Sequence, residues 1–145
     1  MVILDTNVVS ELMRPEPEVA VVRWWAGQNA AELRVTATTM AKILYGIEIL
    51  PAGARRTNLH AGAEQIFRVV FADRVLAFDE GAARTFALIV ASRRKQGKPI
   101  SKFDAQIAAI ARAHNAALAT RNTGDFEGCG VECFTTADLL KRMGV

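Results

Sequence analysis

The feature that most constrains this chain is an alternation of short apolar runs with longer segments of helical periodicity. Runs made mostly of apolar and β-branched residues occupy positions 2–4, 33–36, 75–78 and 117–120, with a possible fifth run at 131–134. Each run predicts a strand, and the segments between them carry apolar residues spaced as on one face of a helix. Strands that alternate with helices predict an α/β fold, in which helices cover both faces of a mostly parallel sheet of four or five strands.

Proline and glycine divide the segments between the strands into separate helices. Pro15, Pro51 and Gly97 are the clearest breaks. We predict helices that begin after Asp5-Thr6-Asn7 and others over residues 19–25, 38–50, 55–71, 82–95 and 101–114, with a short helix at the carboxyl end.

The size and composition predict one compact domain spanning residues 1–145. The chain has 145 residues, of which 51% are hydrophobic and 23% are charged, and its formal net charge is +3. A domain of this size buries roughly two-thirds of the surface of its unfolded chain, so it needs neither a metal nor a disulfide for stability. We therefore expect any bound metal to serve catalysis. The mildly basic charge permits a polyanionic partner without requiring one.

The sequence predicts a cytoplasmic protein. No stretch approaches the roughly 18 apolar residues of a membrane span, and the amino end lacks a basic region and a cleavage site. Cys129 and Cys133 are too few to form a zinc site, which takes four ligands. We predict two reduced thiols, with a disulfide between them as the less favoured alternative.

Three polar clusters lie at or beside predicted strand ends. In open α/β sheets the functional crevice lies beyond the carboxyl ends of the strands, so a parallel sheet brings such clusters together. Carboxylate oxygens at this place are suited to Mg²⁺ or Mn²⁺. The clusters are Asp5-Thr6-Asn7, Asp104, and Arg121-Asn122-Thr123-Gly124-Asp125.

Each cluster also has a purely structural explanation. Asp5 is a good N-cap for the helix that follows it. Ser101-Lys102-Phe103-Asp104 fits the Ser-x-x-acid pattern of a capping box, and the segment around Asn122 and Asp125 is rich in turn formers. A carboxylate in the first helical turn can be stabilised by the helix dipole and still bind a cation, so the two explanations of Asp104 are compatible.

Four short motifs together resemble the PIN-domain family of metal-dependent ribonucleases, and within it the VapC-type toxins of bacterial toxin–antitoxin pairs. Each motif is weak alone, but their order and spacing are specific, and the resemblance covers nearly the full chain. The motifs are Leu4-Asp5-Thr6-Asn7, Thr39-Met40-Ala41-Lys42-Ile43-Leu44-Tyr45-Gly46, Phe103-Asp104-Ala105-Gln106-Ile107-Ala108-Ala109 and Ala119-Thr120-Arg121-Asn122-Thr123-Gly124-Asp125-Phe126.

The resemblance implies a fold, an activity and partners. The fold is a PIN-like three-layer α/β/α sandwich. The activity is that of an endoribonuclease toxin which depends on Mg²⁺ or Mn²⁺ to hydrolyse RNA phosphodiester bonds. The partners are a cognate antitoxin, the RNA substrate and a second copy of the chain. The resemblance therefore implies a homodimer or a toxin–antitoxin hetero-oligomer. It implies no association with a membrane.

The resemblance also assigns the site residues. Asp5 and Asp104 match the metal-binding aspartates, and Thr6 and Asn7 match the polar residues beside the metal. The fourth acidic position is Asn122, for which Asp125 can substitute as a catalytic carboxylate. A supporting role follows for Arg121, whose guanidinium is suited to steady a phosphate.

Lys42 departs from the family pattern, because the family has a glutamate ligand at this position. A protonated lysine has no acceptor for a metal and adds a positive charge. If Lys42 points inward, its ammonium can pair with Asp5 and Asp104; if it points outward, the site is one ligand short. The alternative function is therefore a catalytically silenced PIN-domain protein that retains antitoxin or RNA binding.

Two further interpretations are disfavoured. Arg93 and the basic residues that follow it can hold RNA phosphates, but cations in a last helical turn more often complement the helix carboxyl end. A receiver-type phosphoacceptor domain is a poor match, because Phe78-Asp79-Glu80 has no matching lysine at the end of a fifth strand.

Overall fold

A wholly parallel five-stranded sheet lies at the centre of the computed structural model, which describes residues 1–138. The spatial order is β3-β2-β1-β4-β5, and all four pairings are parallel. This confirms the predicted α/β class. The strands are β1 Val2–Leu4, β2 Leu33–Thr36, β3 Val75–Leu76, β4 Ala117–Ala119 and β5 Cys133–Phe134.

Six α-helices connect the described strands. The predicted helix over residues 55–71 is observed as α4, which continues directly into a π-helical turn at Gln65–Val70. Short 3₁₀ turns occupy Ala30–Glu32 and Thr123–Phe126. The predicted terminal helix lies at and beyond the end of the described residues. The helices are α1 Thr6–Leu12, α2 Val19–Ala26, α3 Ala37–Glu48, α4 Ala54–Glu64, α5 Glu80–Lys95 and α6 Lys102–Ala113.

Two hydrophobic clusters cover the two faces of the sheet and form a three-layer arrangement. Successive strand side chains point to opposite faces, so Leu4 and Ala119 join one cluster, with α1 to α4, while Ile3 and Leu118 join the other, with α5 and α6. The α6 helix contributes fully buried small residues to the second cluster. They are Ala108, Ala109 and Ala111.

The edge strands β3 and β5 are shorter than the sequence predicts. Leu76 of β3 pairs with Thr36, the last residue of β2. The chain enters α3 at Ala37, so β3 has no partner strand beyond Leu76. At the other edge, the two residues of β5 pair only with Leu118 and Ala119. Pairing of β3 is therefore limited by the length of β2.

Two further features of the described residues concern membrane-spanning helices and the two cysteines. No helix within residues 1–138 is long and apolar enough to cross a membrane. Cys129 and Cys133 are both free thiols, as predicted. Burial raises the pKa of the Cys133 thiol to about 11, so this side chain stays protonated near neutral pH.

Candidate active site at the carboxyl edge of the sheet

Asp5 lies at the junction between β1 and α1. Its backbone N–H donates to the carbonyl of Ala119 at 2.9 Å, which fixes the junction against β4. The side chain caps α1, because Oδ1 accepts from the backbone N–H of Thr6 at 2.8 Å. Asp5 is only 5% exposed. Burial raises the pKa of the Asp5 carboxyl above its ordinary value, while hydrogen bonds from Thr120 and Thr6 act in the opposite direction.

Thr120 connects Asp5 to the segment that follows β4. The buried hydroxyl donates to Asp5 Oδ2 at 2.8 Å. The hydroxyl oxygen of Thr120 also accepts two hydrogen bonds, from Asn7 Nδ2 at 3.3 Å and from the backbone N–H of Asn122 at 3.1 Å. Asn7 Oδ1 accepts in turn from the backbone N–H of Arg121 at 3.2 Å. Asn7 therefore holds the two chain segments together at the site.

Asp104 lies in the first turn of α6, where its environment differs from that of Asp5. Ser101 caps the helix by accepting from the backbone N–H of Asp104 at 3.2 Å, as the capping-box pattern predicts. Within residues 1–138, no hydrogen bond or ion pair engages the Asp104 carboxylate. Its charge is close enough to Asp5 to raise the pKa of that carboxyl further. The two carboxylates therefore repel each other across the cleft, a condition that a bound cation relieves.

One cleft of about 480 Å³ contains most of the predicted site residues. It joins the three sequence clusters that lie far apart along the chain, which is the arrangement expected at the carboxyl edge of a parallel sheet. The residues that line it are Asp5, Thr6, Asn7, Ser10, Glu11, Arg14, Lys42, Asp104, Arg121 and Asp125.

Asp125 is presented by the 3₁₀ turn after β4. Its Oδ2 accepts from Asn122 Nδ2 at 3.0 Å, so the two candidates for the fourth acidic position bind each other. The turn is held from behind by Arg93, which is 6% exposed. Arg93 Nη1 donates to the carbonyls of Asp125 at 3.1 Å and Glu127 at 2.8 Å. Arg93 is thus a buried structural cation that supports the Asp125 turn.

Arg121 forms ion pairs with two glutamates. Its Nη1 lies 3.2 Å from Glu11 Oε2, and its Nη2 lies 2.7 Å from Glu18 Oε2. Arg14 also pairs with Glu11, at 3.3 Å. The predicted phosphate-steadying role of Arg121 requires RNA to compete with these carboxylates.

Lys42 lies on the α3 wall of the cleft, and neither of the two predicted orientations describes it fully. In the part of the chain that the structure describes, no ion pair joins it to Asp5 or Asp104. Its Nζ lies 5.9 Å from the centroid of the Phe103 ring. The ammonium is still close enough to lower the pKa of Asp5, although burial has the larger effect on that group.

The donor set is suited to a cation that keeps part of its water shell. Among the described residues, no three aspartate, glutamate, histidine or cysteine side chains converge closely enough to hold one metal ion. Mg²⁺ in proteins is commonly bound through one or two carboxylates, with water and substrate phosphate as the remaining ligands. Asp5 and Asp104, with Asp125 nearby, fit this pattern.

The sequence prediction does not assign the roles of three residues that contribute to the site. Thr120 follows a strand and gives no signal beyond the motif that contains it. Glu11 looks like an ordinary polar helix residue, although it is 4% exposed. Arg93 resembles a cation at a helix end. Their roles depend on partners from 32 to 115 residues away in sequence, which local patterns do not reveal.

Comparison with known proteins agrees with this architecture. The family model described as "PIN domain" matches residues 2–128. The chain is 42% identical over 132 residues to the VapC ribonuclease Y4jK of Sinorhizobium fredii, a match that covers 91% of this chain and 94% of the relative. It is 38% identical over 134 residues to toxin FitB of Neisseria gonorrhoeae, covering 92% of this chain and 96% of FitB.

Solved structures show the same relationship. The structure of FitAB bound to an IR36 DNA fragment matches with a TM-score of 0.86 and 38% identity, covering 94% of this chain and 95% of the matched chain. The parallel α/β/α sandwich with carboxylates at its carboxyl edge, together with these matches, identifies a PIN-type domain. The chain belongs to the PIN-domain family, in the group of VapC-type toxins. The predicted resemblance is confirmed.

Proposed function

We propose that this chain is a metal-dependent endoribonuclease toxin that hydrolyses RNA phosphodiester bonds and is inhibited by a cognate antitoxin. One observation carries the proposal: the buried Asp5 carboxylate faces Asp104 in an open cleft, and its pKa is raised because neighbouring groups do not offset the cost of burial. Such a carboxylate is suited to bind a cation from solution.

Asp5 and Asp104 would hold Mg²⁺ or Mn²⁺, with Asp125 or Asn122 adding an oxygen from the turn. Bound there, the ion would supply an activated water and stabilise negative charge on the phosphate. The comparisons support nuclease activity through relatives that are named as a ribonuclease or an endonuclease. The ion itself is inferred from the oxygen donors.

The residues around Asp5 and Asp104 position these carboxylates. Thr120 and the Thr6 N–H donate to Asp5, so both oxygens are oriented before any ligand arrives. The Thr6 hydroxyl also lies 3.0 Å from that of Thr39, which ties the Asp5 junction to α3. Asp104 is carried on α6, whose apolar face is buried in the second hydrophobic cluster. This arrangement reduces the reorganisation needed when substrate binds.

The partners follow from the relatives. FitB occurs in a FitAB complex bound to DNA, and other structural neighbours are VapBC toxin–antitoxin complexes. We propose that this chain likewise binds an antitoxin, as a homodimer within a larger hetero-oligomer, in the cytoplasm.

The direct test is cleavage of RNA by the purified protein with Mg²⁺ or Mn²⁺, and in EDTA. We expect cleavage that requires the ion and that falls by about 100-fold or more in Asp5→Asn. Asp73→Asn is the matched control, since Asp73 is exposed on the loop before β3, at the amino edge of the sheet. Asparagine tolerates its positive φ of 61°. Equal activity in Asp5→Asn and Asp73→Asn would refute the assigned site.

Nothing in the comparisons favours the alternative of a silenced protein. The variant Lys42→Glu, measured in the same cleavage assay, distinguishes an active nuclease from a catalytically silenced protein. A silenced nuclease would show no ion-dependent cleavage until Lys42 is replaced, whereas we expect cleavage with Lys42 present.

A further inference from the structure

Three cationic side chains line the cleft that contains Asp5. They are Arg14, Lys42 and Arg121. Lysine and arginine bind nucleic acids chiefly by neutralising backbone phosphates. Whether each of these residues can do so depends on whether it already has an anionic partner within the protein.

Arg14 and Arg121 are already paired. Arg121 bridges Glu11 and Glu18, and Arg14 lies against Glu11. Glu11 is buried and also accepts the backbone N–H of Glu18 at 2.8 Å, so it is fixed in place. A phosphate must displace a carboxylate to reach either guanidinium.

Lys42 is available to an incoming anion. Its side chain is exposed, and within residues 1–138 no carboxylate lies at ion-pair distance from its ammonium. The Phe103 ring, 46% exposed, lies 5.9 Å from Nζ and precedes Asp104 directly. This cation–π contact favours a position of the ammonium beside the carboxylates while leaving it open to solvent.

We propose that Lys42 binds a backbone phosphate of the RNA at this cleft. The inference rests on the proposed function, because that function makes RNA the substrate. An ammonium provides three donors and a compact positive charge, which suit a phosphate. A carboxylate at this position would repel that phosphate. Lys42 therefore replaces a metal ligand with a group that binds the substrate.

The test measures RNA binding without cleavage. A short single-stranded RNA of random sequence is titrated with the protein in EDTA, at salt concentrations from about 50 to 200 mM. The variants are Lys42→Met, Lys42→Arg and Lys42→Glu. Lys95→Met is the matched control, because Lys95 is an exposed lysine on α5 that does not line this cleft. Because Lys42 is exposed, the variants should keep the thermal stability of the natural sequence, and melting curves verify this.

We expect Lys42→Met to weaken RNA binding roughly tenfold, as for the loss of one hydrogen bond to a charged group. The slope of log affinity against log salt should fall in magnitude by about 0.7, the value for one phosphate of a single strand. Lys42→Arg should retain both affinity and slope. Lys42→Glu should bind more weakly than Lys42→Met, and Lys95→Met should match the natural sequence.

Equal affinities and slopes in Lys42→Met and Lys95→Met would overturn the inference, as would the absence of RNA binding by the natural sequence. The inference and the proposed function fail in different ways. If the RNA is cleaved but Lys42 does not contribute to binding, the proposed function holds and the inference about Lys42 is wrong. RNA that is bound through Lys42 but never cleaved, with either metal, leaves only the inference standing.

Discussion

Asp5 and Glu11 are two carboxylates on one short helix, and they have opposite electrostatic environments. Asp5 caps the start of α1 and Glu11 lies in its last turn, with exposures of 5% and 4%. Burial raises the pKa of Asp5. The hydrogen bond from the Glu18 backbone N–H lowers the pKa of Glu11, and Arg14 and Arg121 act in the same direction.

The difference separates a carboxylate that is available to a ligand from one that is already satisfied. Glu11 has a backbone donor and two guanidinium partners, so its charge is neutralised within the protein. Asp5 has two neutral donors and a neighbouring carboxylate, so a cation from solution has more to gain by binding there. Both line the same cleft. Proximity to a cleft alone therefore does not identify a metal ligand.

The largest expected effect separates Asp5→Asn from Glu11→Gln in Mn²⁺ binding. Asp5→Asn should weaken binding of the ion by about 100-fold or more, because it removes a charged ligand. Glu11→Gln should leave ion affinity within about threefold, since its charge is already compensated by arginines. Isothermal titration of both variants measures this. A comparable loss in Glu11→Gln would assign Glu11 to the ion and break the distinction.

Arg93 extends the comparison to a buried cation that has carbonyl partners. Arg93→Met should lower the free energy of unfolding by about 3 kcal/mol, because it leaves carbonyls of the Asp125 turn without their donor. Denaturation in urea measures the loss, and Arg94→Met on the same helix is the control, because Arg94 is exposed. An equal effect in both variants would show that Arg93 does not support the turn.

Thr120→Val sharpens the account of Asp5 itself. The substitution keeps the shape of the side chain but removes the donor to Asp5 and the acceptor for Asn7 and Asn122. We expect a loss of about 2 kcal/mol in stability and a further rise in the pKa of Asp5. Thr120→Ser, which keeps the hydroxyl, should retain most of the stability and most of the effect on the pKa of Asp5. If Val and Ser behave alike, the hydroxyl does not determine the Asp5 environment.

The smallest expected effect concerns how the stability of the metal-free protein depends on pH. Asp5 and Glu11 should contribute to this dependence in opposite directions. The raised pKa of Asp5 means that its contribution to stability is complete below about pH 3.8 and is lost as pH rises through the higher folded value. The free energy of unfolding of Asp5→Asn should therefore increase relative to that of the natural sequence as pH rises. The lowered pKa of Glu11 gives the reverse, since its contribution is present above about pH 4.5 and is lost on acidification.

Urea unfolding of Asp5→Asn and Glu11→Gln across the acidic range measures both slopes. Each variant is compared with the natural sequence at the same pH. If the difference in stability between variant and natural sequence changes with pH in the same direction for both variants, the assigned environments of the two carboxylates are contradicted.

Local patterns in the sequence predict most of the fold and part of the site. The alternation of strands and helices identifies the sheet, and the capping preferences of Asp5 and Ser101 locate two helix starts that the structure confirms. Parallel topology then explains why Asp5 and Asp104 share one edge. The prediction fails where an outcome depends on a distant partner, as for the short β3 and for Arg93 beneath the Asp125 turn.

The Thr120 hydroxyl that orients Asp5 also affects when the site can form during synthesis. The two residues are 115 positions apart, so this contact joins two distant segments of the chain. Domains emerge from the ribosome amino end first, and non-local contacts wait for the later segment. Until β4 emerges, the Asp5 carboxylate lacks both its strand neighbour and its orienting donor. We expect fragments that end before Ala117 to bind no Mn²⁺ at this site, because the cleft forms only after β4 and Thr120 have been synthesised.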